Sequence, residues 1–575
     1  MVCIRKVEIR NFRSIQTLDW FPLLGVNCLI GPGDSGKSTI LDAIDLCLGA
    51  RRTIPVSDTD FFLMDVTQTV QISVTLGTLP DDLKNVNTYG NYLRAFNLQT
   101  GEIEEEPRQD WETILTLNLS ISSDLEPVWS LKSQRAEQLG QERSIAWKDR
   151  ASIAPARLGN YVASSLSWTR GSVLNRLAEE RPNLGAELVG AAREARASFG
   201  NQAGAQLGET LRIVTETATS LGVPTGGNTQ ALLDAHSVSI GDGAIALHDA
   251  RGVPLRSLGT GSVRLLIAGL QRAAAESASI VLVDEVEYGL EPHRLTRLLN
   301  SLGAKEPIPP LQVFMTTHSP VVVRELSGHQ IFVVRSEQLG HQVRQVGVAN
   351  DVQSTIRLDP EAFLAKTIIV CEGASEVGFI RGLDEYRVSL GLTSLLASGV
   401  AYVNAGGGHP DLSFSRGLAL LNLGYRVVVL VDNDIPPTPT TVQQFTSSGG
   451  RHVIWETGRA LEDELFLSLD DEAVGLLLQR ACELADSEIV DAHIRTKSNG
   501  AMTLENICNQ ALIDGYSRET RTCLGLASRS GKNSWFKSVT KFEGVARDIV
   551  GPALQRSHQP FQLQIQNLFQ WAHNA

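Results

Sequence analysis

The chain of 575 residues is poor in aromatic side chains (6%) and has no excess of positive charge. Its 51 lysines and arginines face 64 aspartates and glutamates, a formal net charge of −13. This balance excludes a whole-surface electrostatic grip on nucleic acid; such a grip needs a local basic patch or metal ions as bridging charge. The 7 cysteines are scattered, with no C-x-x-C pair and no histidines at zinc spacing. They fit small buried hydrophobes in a reducing cytoplasm, not a disulfide framework or a zinc centre. No run of 18 apolar residues is present, so a helical membrane span is not expected. Met1-Val2-Cys3-Ile4-Arg5-Lys6 leads into strand-like alternation without a signal peptide's apolar segment, and a cytoplasmic, membrane-free protein is the expectation. No long heptad stretch occurs, which excludes an extended coiled coil. At this length more than one domain is expected.

What the chain does contain is phosphate chemistry. Gly31-Pro32-Gly33-Asp34-Ser35-Gly36-Lys37-Ser38-Thr39 is a full G-x-x-x-x-G-K-[ST] loop. The apolar run Leu24 to Ile30 precedes it, and Ser38 to Leu48 follows with helical periodicity, which is the strand–loop–helix setting the loop requires. Backbone N–H groups and the helix N-terminus then cradle the phosphates of ATP, Lys37 reaches the β/γ-phosphates and Ser38 holds Mg²⁺. Ser279 to Val283 reads as a buried strand ending in Asp284-Glu285. Asp284 is placed to support the Mg²⁺ and Glu285 to polarise the attacking water. Leu311 to Thr317 is a further strand ending at His318, positioned to contact the γ-phosphate. Ser257-Leu258-Gly259-Thr260-Gly261-Ser262 opens the helical run Val263 to Ala274. Such a small-residue turn presents free N–H groups, so Ser257, Gly259 and Gly261 are phosphate-site candidates.

With the opening Val7-Glu8-Ile9-Arg10-Asn11-Phe12-Arg13-Ser14-Ile15, these pieces resemble the ABC ATPases related to SMC and Rad-fifty-type repair proteins. The resemblance implies head-to-head dimerisation, with Ser257 to Ser262 acting in trans on Lys37-bound ATP. Gly289-Leu290-Glu291-Pro292-His293 departs from the Leu-His-Pro usual after the catalytic glutamate. From about 147 to 222 the ATPase is interrupted by an Ala-, Arg- and Leu-rich stretch, a helical insertion and dimerisation candidate. Leu207, Leu211, Val214, Ala218 and Leu221 form a seam in it that suits either an intramolecular hairpin or a subunit contact. Arg150, Arg157, Arg170 and Arg176 nearby fit either a nucleic-acid contact or solvated charge.

After a connecting stretch from Gln338 to Asp359, a second α/β unit begins. Lys366 to Cys371 reads as a strand ending at Glu372, with Glu376 opening the next helix, and Arg426 to Val431 as a strand ending in Asp432-Asn433-Asp434. Parallel strands display ligands at their C-terminal ends, so these carboxylates can converge. Divalent metal, Mg²⁺ or Mn²⁺, is the simplest relief of their mutual repulsion. With Asn404-Ala405-Gly406-Gly407-Gly408 between them, the motifs resemble the Toprim domain of topoisomerases, primases and certain nucleases.

An ABC head (residues 1–350) followed by a Toprim domain (360–575) is similar to the layout of the OLD family of nucleases (overcoming lysogenization defect). In size and proportions the chain looks closest to the branch that supplies the nuclease subunits of the Gabija anti-phage system. That resemblance implies an ATP-regulated, metal-dependent DNA endonuclease of bacterial defence, a homodimer or higher homo-oligomer, and a helicase-like partner protein. It also implies Glu462, in Leu461-Glu462-Asp463-Glu464-Leu465, as a further metal ligand beside Glu372, Glu376, Asp432 and Asp434. In Ser530-Gly531-Lys532-Asn533-Ser534-Trp535-Phe536-Lys537 it favours Lys532 over Lys537 as the transition-state cation, a choice that stays open. Two rivals remain: an ATP-dependent sensor or scaffold that recruits an effector, and a nuclease acting on RNA. Neither a domain with a recognisable breakage tyrosine nor a zinc-type cysteine cluster is found, which weighs against topoisomerase and primase action.

Overall fold

The apolar alternation of the first twenty positions folds as an antiparallel hairpin, β1 (Cys3–Phe12) and β2 (Ile15–Trp20). The computed structural model describes residues 2–51, 53–158, 174, 185–220, 231, 247–273, 279–337, 340–531 and 534–573. Three sheets organise them.

The P-loop sheet is built from β3 (Val26–Ile30), β9 (Ala156–Leu158), β10 (Ile280–Val283), β11 (Gln312–Thr316), β12 (Ile331–Glu337) and β13 (Gly340–Gln345). Its order is β13-β12-β3-β11-β10-β9, parallel throughout except for the β12–β13 hairpin. The central strands β3, β10 and β11 are buried at every position, as continuous apolar runs in a parallel sheet must be. Packed beside it is a seven-stranded antiparallel sheet that extends the first hairpin. Its other strands are β4 (Val70–Gly77), β5 (Arg94–Phe96), β6 (Ile103–Glu104), β7 (Glu112–Ile121) and β8 (Pro127–Leu131). Helix Lys37–Leu48 lies between these two sheets, with Ile40, Leu41, Ile44 and Leu48 buried.

The third sheet is wholly parallel, in the order β15 (Val400–Asn404), β14 (Thr367–Cys371), β16 (Arg426–Val431), β17 (Arg451–Ile454). One hydrophobic core runs from Val26 and Val283 of the P-loop sheet to Val370, Val429 and Phe445 around the third sheet. The two α/β units thus share packed side chains.

Two stretches differ from their sequence expectation. Gln338 to Asp359 is not a plain connector: β13 pairs back on β12, and helix Asn350–Leu358 follows with Val352, Thr355 and Ile356 buried. The stretch from 147 to 222 begins with helix Trp147–Ile153, but then β9 returns to the edge of the P-loop sheet. A 36-residue helix, Gly185–Ser220, carries the seam, where Leu207 and Val214 are half-exposed. Arg170, Arg176 and Leu221 lie outside the described residues. No helix among the described residues is long and apolar enough to cross a membrane.

Candidate functional sites

β3 delivers the chain into the glycine loop. Gly31 takes φ 146°, and a Cβ there would meet the Val334 carbonyl at 2.6 Å. Gly36 takes φ 85° as the N-cap of helix Lys37–Leu48, with the His341 ring 3.3 Å from where a Cβ would stand. Both positions therefore need glycine. Gly33, Asp34 (φ 60°) and buried Ser35 form the turn between them. Lys37, also buried, donates from Nζ to the carbonyls of Gly31 (3.1 Å) and Pro32 (2.8 Å) and to Ser35 Oγ (3.3 Å). Burial pulls its pKa down to about 8, against the opposing pull of Asp34 and Asp284. Thr39 stands 3.2 Å from Ser14 on the β1–β2 turn.

The strand-end carboxylates meet this loop. Ser38 Oγ donates to Asp284 Oδ1 at 3.0 Å, and Thr316 Oγ1 donates to the same oxygen at 2.6 Å. The Glu285 amide donates to Thr316 Oγ1 at 2.8 Å, and Glu285 itself is exposed at φ 46°, a strained conformation for a non-glycine residue. His318 is exposed after β11, its amide donating to Glu287 Oε1 at 2.7 Å while Thr317 Oγ1 donates to Glu287 Oε2. Ser257 and Gly259 lie exposed before helix Thr260–Ala273, and Gly261 is buried at its first turn against the Gly289 carbonyl.

Several arginines here were not recognised from sequence as members of this site. Arg264, 1% exposed, donates to the carbonyls of Asp284 (3.2 Å), Glu285 (3.2 Å) and Tyr288 (2.6 Å). It ties the helix after the small-residue turn to the Asp284-Glu285 loop. Arg157 on β9 pairs with Asp42 (2.6 Å) and Asp45 (3.2 Å) and stands 4.0 Å from Asp284. Arg157, exposed on the sheet edge, is thus ion-paired beside the phosphate loop.

At the second site, Glu372 follows β14, Glu376 sits in the first turn of helix Ala374–Ser389, Asp432 and Asp434 follow β16, and Glu462 opens helix Leu461–Ser468. The glycine segment is tied to the end of β14 by Gly407 N donating to the Glu372 carbonyl at 2.7 Å, with Gly406, Gly407 and Gly408 all at positive φ. Burial, and then the charges of Glu376, Glu462, Glu372 and Asp434, push the Asp432 carboxyl well above the usual range. Burial raises Glu376 to about 7, with Glu462 and Glu372 adding to the rise. Burial likewise raises Glu372 and Glu462. These residues are brought together electrostatically.

They are not brought into ligating geometry. Among the described residues no group of three His, Cys, Asp or Glu side chains is arranged to hold a metal ion. The side chains are turned onto other partners: Glu372 Oε2 accepts from the Asp432 amide (3.0 Å), Asp432 Oδ1 from the Leu461 amide (2.9 Å) and Glu376 Oε2 from the Gly373 amide (2.7 Å). Asp434 pairs with Arg529, which also reaches Asp463 at 3.1 Å. Self-repulsion favours such separate hydrogen bonds over convergence. The donor set itself, all hard carboxylate oxygen, fits Mg²⁺ or Mn²⁺. Lys532 lies outside the described residues, while Lys537 is exposed and lowers the Glu462 pKa through its charge. Arg529 is a cation at this site that the motifs did not single out.

Residues 26–324 match the family described as "AAA domain, putative AbiEii toxin, Type IV TA system". An OLD nuclease of Thermus scotoductus is 35% identical over 75 residues, 12% of this chain and 14% of that protein. The DNA replication and repair protein RecF of Chlorobium phaeovibrioides is 25% identical over 111 residues, 17% of this chain and 30% of that protein. The chain thus covers 14% and 30% of the length of these two relatives. Similar solved structures include the SMC head domain from Thermotoga maritima, 14% identical, covering 60% of this chain and 99% of that one at a TM-score of 0.27. Another is the Pyrococcus furiosus Smc head domain bound to the C-terminal domain of ScpA, 13% identical, covering 60% and 96% at a TM-score of 0.33.

Proposed function

The chain belongs to the AAA-domain family that its residues 26–324 match, and we propose that it is an ATP-regulated, divalent-metal-dependent DNA endonuclease. The observation that carries this is the gathering of Glu372, Glu376, Asp432, Asp434 and Glu462 at the C-terminal ends of β14 and β16 and the first turns of two helices, where the Asp432 amide donates to Glu372 Oε2 at 3.0 Å and Asp432 Oδ1 accepts from the Leu461 amide, next to Glu462, at 2.9 Å. Burial and the neighbouring charges push the Asp432 carboxyl up in keeping with this. A cluster so repulsive has its simplest use as a cation site. The order of motifs suits an ATPase unit over 1–350 and a Toprim unit over 360–575, the layout of OLD-family nucleases and of their Gabija branch. The short match to an OLD nuclease supports the same assignment.

Glu372, Glu376, Asp432, Asp434 and Glu462 are the residues that would hold Mg²⁺ or Mn²⁺, with Glu372, Asp432 and Glu376 also accepting from backbone amides. Bound there, the metal supplies water activation and charge neutralisation for phosphodiester hydrolysis. Arg529 keeps Asp434 and Asp463 in place, and Lys532 or Lys537 offsets charge on the scissile phosphate. At the other site Lys37 and the loop amides bind the ATP phosphates, Ser38 and Asp284 support Mg²⁺, Glu285 orients water and His318 faces the γ-phosphate. The exposed Ser257 and Gly259 suit contact with ATP on a second copy, so a homodimer or higher homo-oligomer is the working form. DNA is preferred over RNA because the RecF relative is a DNA replication and repair protein. A role in anti-phage defence beside a helicase-like partner follows from the Gabija resemblance.

The test is conversion of supercoiled DNA to nicked or linear forms by purified protein with Mg²⁺ or Mn²⁺. Wild type should cut and Asp432→Ala should not, while both keep the same thermal unfolding profile. Cutting by Asp432→Ala at the parental rate would overturn the assignment.

A further inference from the structure

Helix Lys37–Leu48 starts at the phosphate loop and ends roughly 18 Å away at 1.5 Å per residue. Near that far end lies a cavity of about 600 Å³. Arg51, Arg143 and Arg150 line it together with Tyr89, Trp129 and Trp147, and no carboxylate is among its lining residues. For a chain of net charge −13 this is a concentrated cationic lining.

Arg150 is the informative member. It is 6% exposed, its guanidinium lies 4.4 Å over the Trp129 ring, and it donates to the Cys47 carbonyl at 3.4 Å. Among the described residues no carboxylate pairs with it. A guanidinium stays charged, and a desolvated charge without a counter-charge is unfavourable unless something anionic meets it. Arg143, exposed, lies 5.6 Å over the Tyr89 ring and donates to the Thr88 carbonyl. Arg51 pairs with Asp45 at 2.6 Å, and the Tyr89 hydroxyl donates to Asp149 at 2.6 Å. Trp147 is 47% exposed at the rim.

We propose that this cavity binds a nucleotide unit, its base stacked on the aromatic lining and its phosphate held by Arg143, Arg150 and Arg51. Arginine forks match phosphate oxygens, aromatic rings stack any base, and the volume lies within the usual range of small-molecule sites, about 300 to 1,000 Å³. The same chemistry is offered by a free nucleotide and by an unpaired nucleotide of a DNA strand. The exposed rim at Arg143 and Trp147 favours the strand. This site is separate from the P-loop and from the carboxylate cluster, so it stands whether or not the chain cuts DNA.

The test uses the full-length protein carrying Lys37→Ala, so that the P-loop does not compete for nucleotide. Binding of a fluorescent twelve-residue oligothymidylate is followed by anisotropy, and of thymidine monophosphate by tryptophan fluorescence. Trp147→Ala and Arg143→Gln should each weaken binding about tenfold or more, while Trp147→Phe retains it. Both positions are exposed, and thermal unfolding confirms that each variant folds. Tighter binding of the oligonucleotide than of the monophosphate identifies a strand as the source, and equal or tighter binding of the monophosphate identifies the free nucleotide; either, with loss in the variants, upholds the site. No binding of either probe, or binding unchanged in both variants, overturns it.

Discussion

The guanidinium of Arg335 lies 4.1 Å from the centre of the Tyr425 ring, joining the P-loop sheet to the strand that ends at Asp432. Arg335 sits on β12, which pairs with β3 as that strand enters the glycine loop, and its charge is felt at Lys37. It also donates to the Ala365 carbonyl at 3.1 Å, while the Tyr425 hydroxyl donates to the Phe363 carbonyl at 2.7 Å. Both contacts lie at the entrance to the third sheet, and the shared hydrophobic core surrounds them. The two proposed sites are therefore connected by packed groups rather than by a loose tether.

Arg335→Lys keeps the charge but removes the planar stack. It should reduce any effect of ATP on DNA cutting by at least half while leaving ATP affinity within about threefold, since coupling of 1 to 3 kcal/mol is the usual scale. The check is the ratio of nicking rates with and without ATP in the variant and the parent. An unchanged ratio would show that coupling does not pass through this contact.

At the P-loop, Lys37→Ala should lose ATP binding. Glu285→Gln should retain binding yet hydrolyse ATP at least tenfold more slowly, as expected when the water-orienting carboxylate is lost. Turnover by Glu285→Gln at the parental rate would move that role to another residue, with neighbouring Glu287 as the next candidate.

The pKa of Lys37, lowered to about 8 by burial, gives ATP binding a pH dependence. Bound phosphate favours the charged ammonium and raises this pKa, so the complex holds a proton that the free protein loses above about pH 8. Affinity should be flat below that pH and should weaken above it, approaching tenfold per pH unit. Titration calorimetry from pH 7 to 9.5 measures this, with proton uptake seen in buffers of different ionisation enthalpy. Lys37→Arg, if it binds, should flatten the dependence; a flat profile in the parent contradicts the assignment.

Arg264 acts as a positioning residue for the Asp284-Glu285 loop through its three carbonyl contacts. Arg264→Lys should lower kcat for ATP hydrolysis several-fold with little change in KM, because the loop geometry shifts while the phosphate cradle stays intact. A change confined to KM would place its effect on binding instead.

Which parts of this fold were legible in sequence has a physical explanation. β3, β10, β14 and β16 are short apolar runs ending in glycine or acidic residues and β11 is one ending at Thr317-His318, and their ends fall within two residues of where the pattern places them. β4 and β7 alternate, with Val70, Ile72, Val74 and Leu76 in one and Leu115, Leu117, Leu119 and Ile121 in the other, so each run reads as a strand; what the sequence does not specify is their pairing with β1 into one sheet, which joins runs about forty to sixty residues apart. The strand-end carboxylates could be anticipated because a parallel sheet gathers its C-terminal ends. Arg157, Arg264, Arg335 and Arg529 could not be anticipated in this way, since each takes partners remote in sequence: Arg529 reaches Asp434 across 95 positions and Arg335 reaches Ala365 across 30. The hydrogen bonds of Glu372 and Asp432 to backbone amides were equally hidden, because motif spacing specifies neighbours and not rotamers.

The most direct measurement is the initial rate of supercoiled DNA nicking at zero and at millimolar ATP, with free Mg²⁺ held constant, for wild type and Lys37→Ala. The account predicts at least a several-fold change with ATP in wild type, of either sign, and none in Lys37→Ala. Nicking by wild type at identical rates with and without ATP would contradict it.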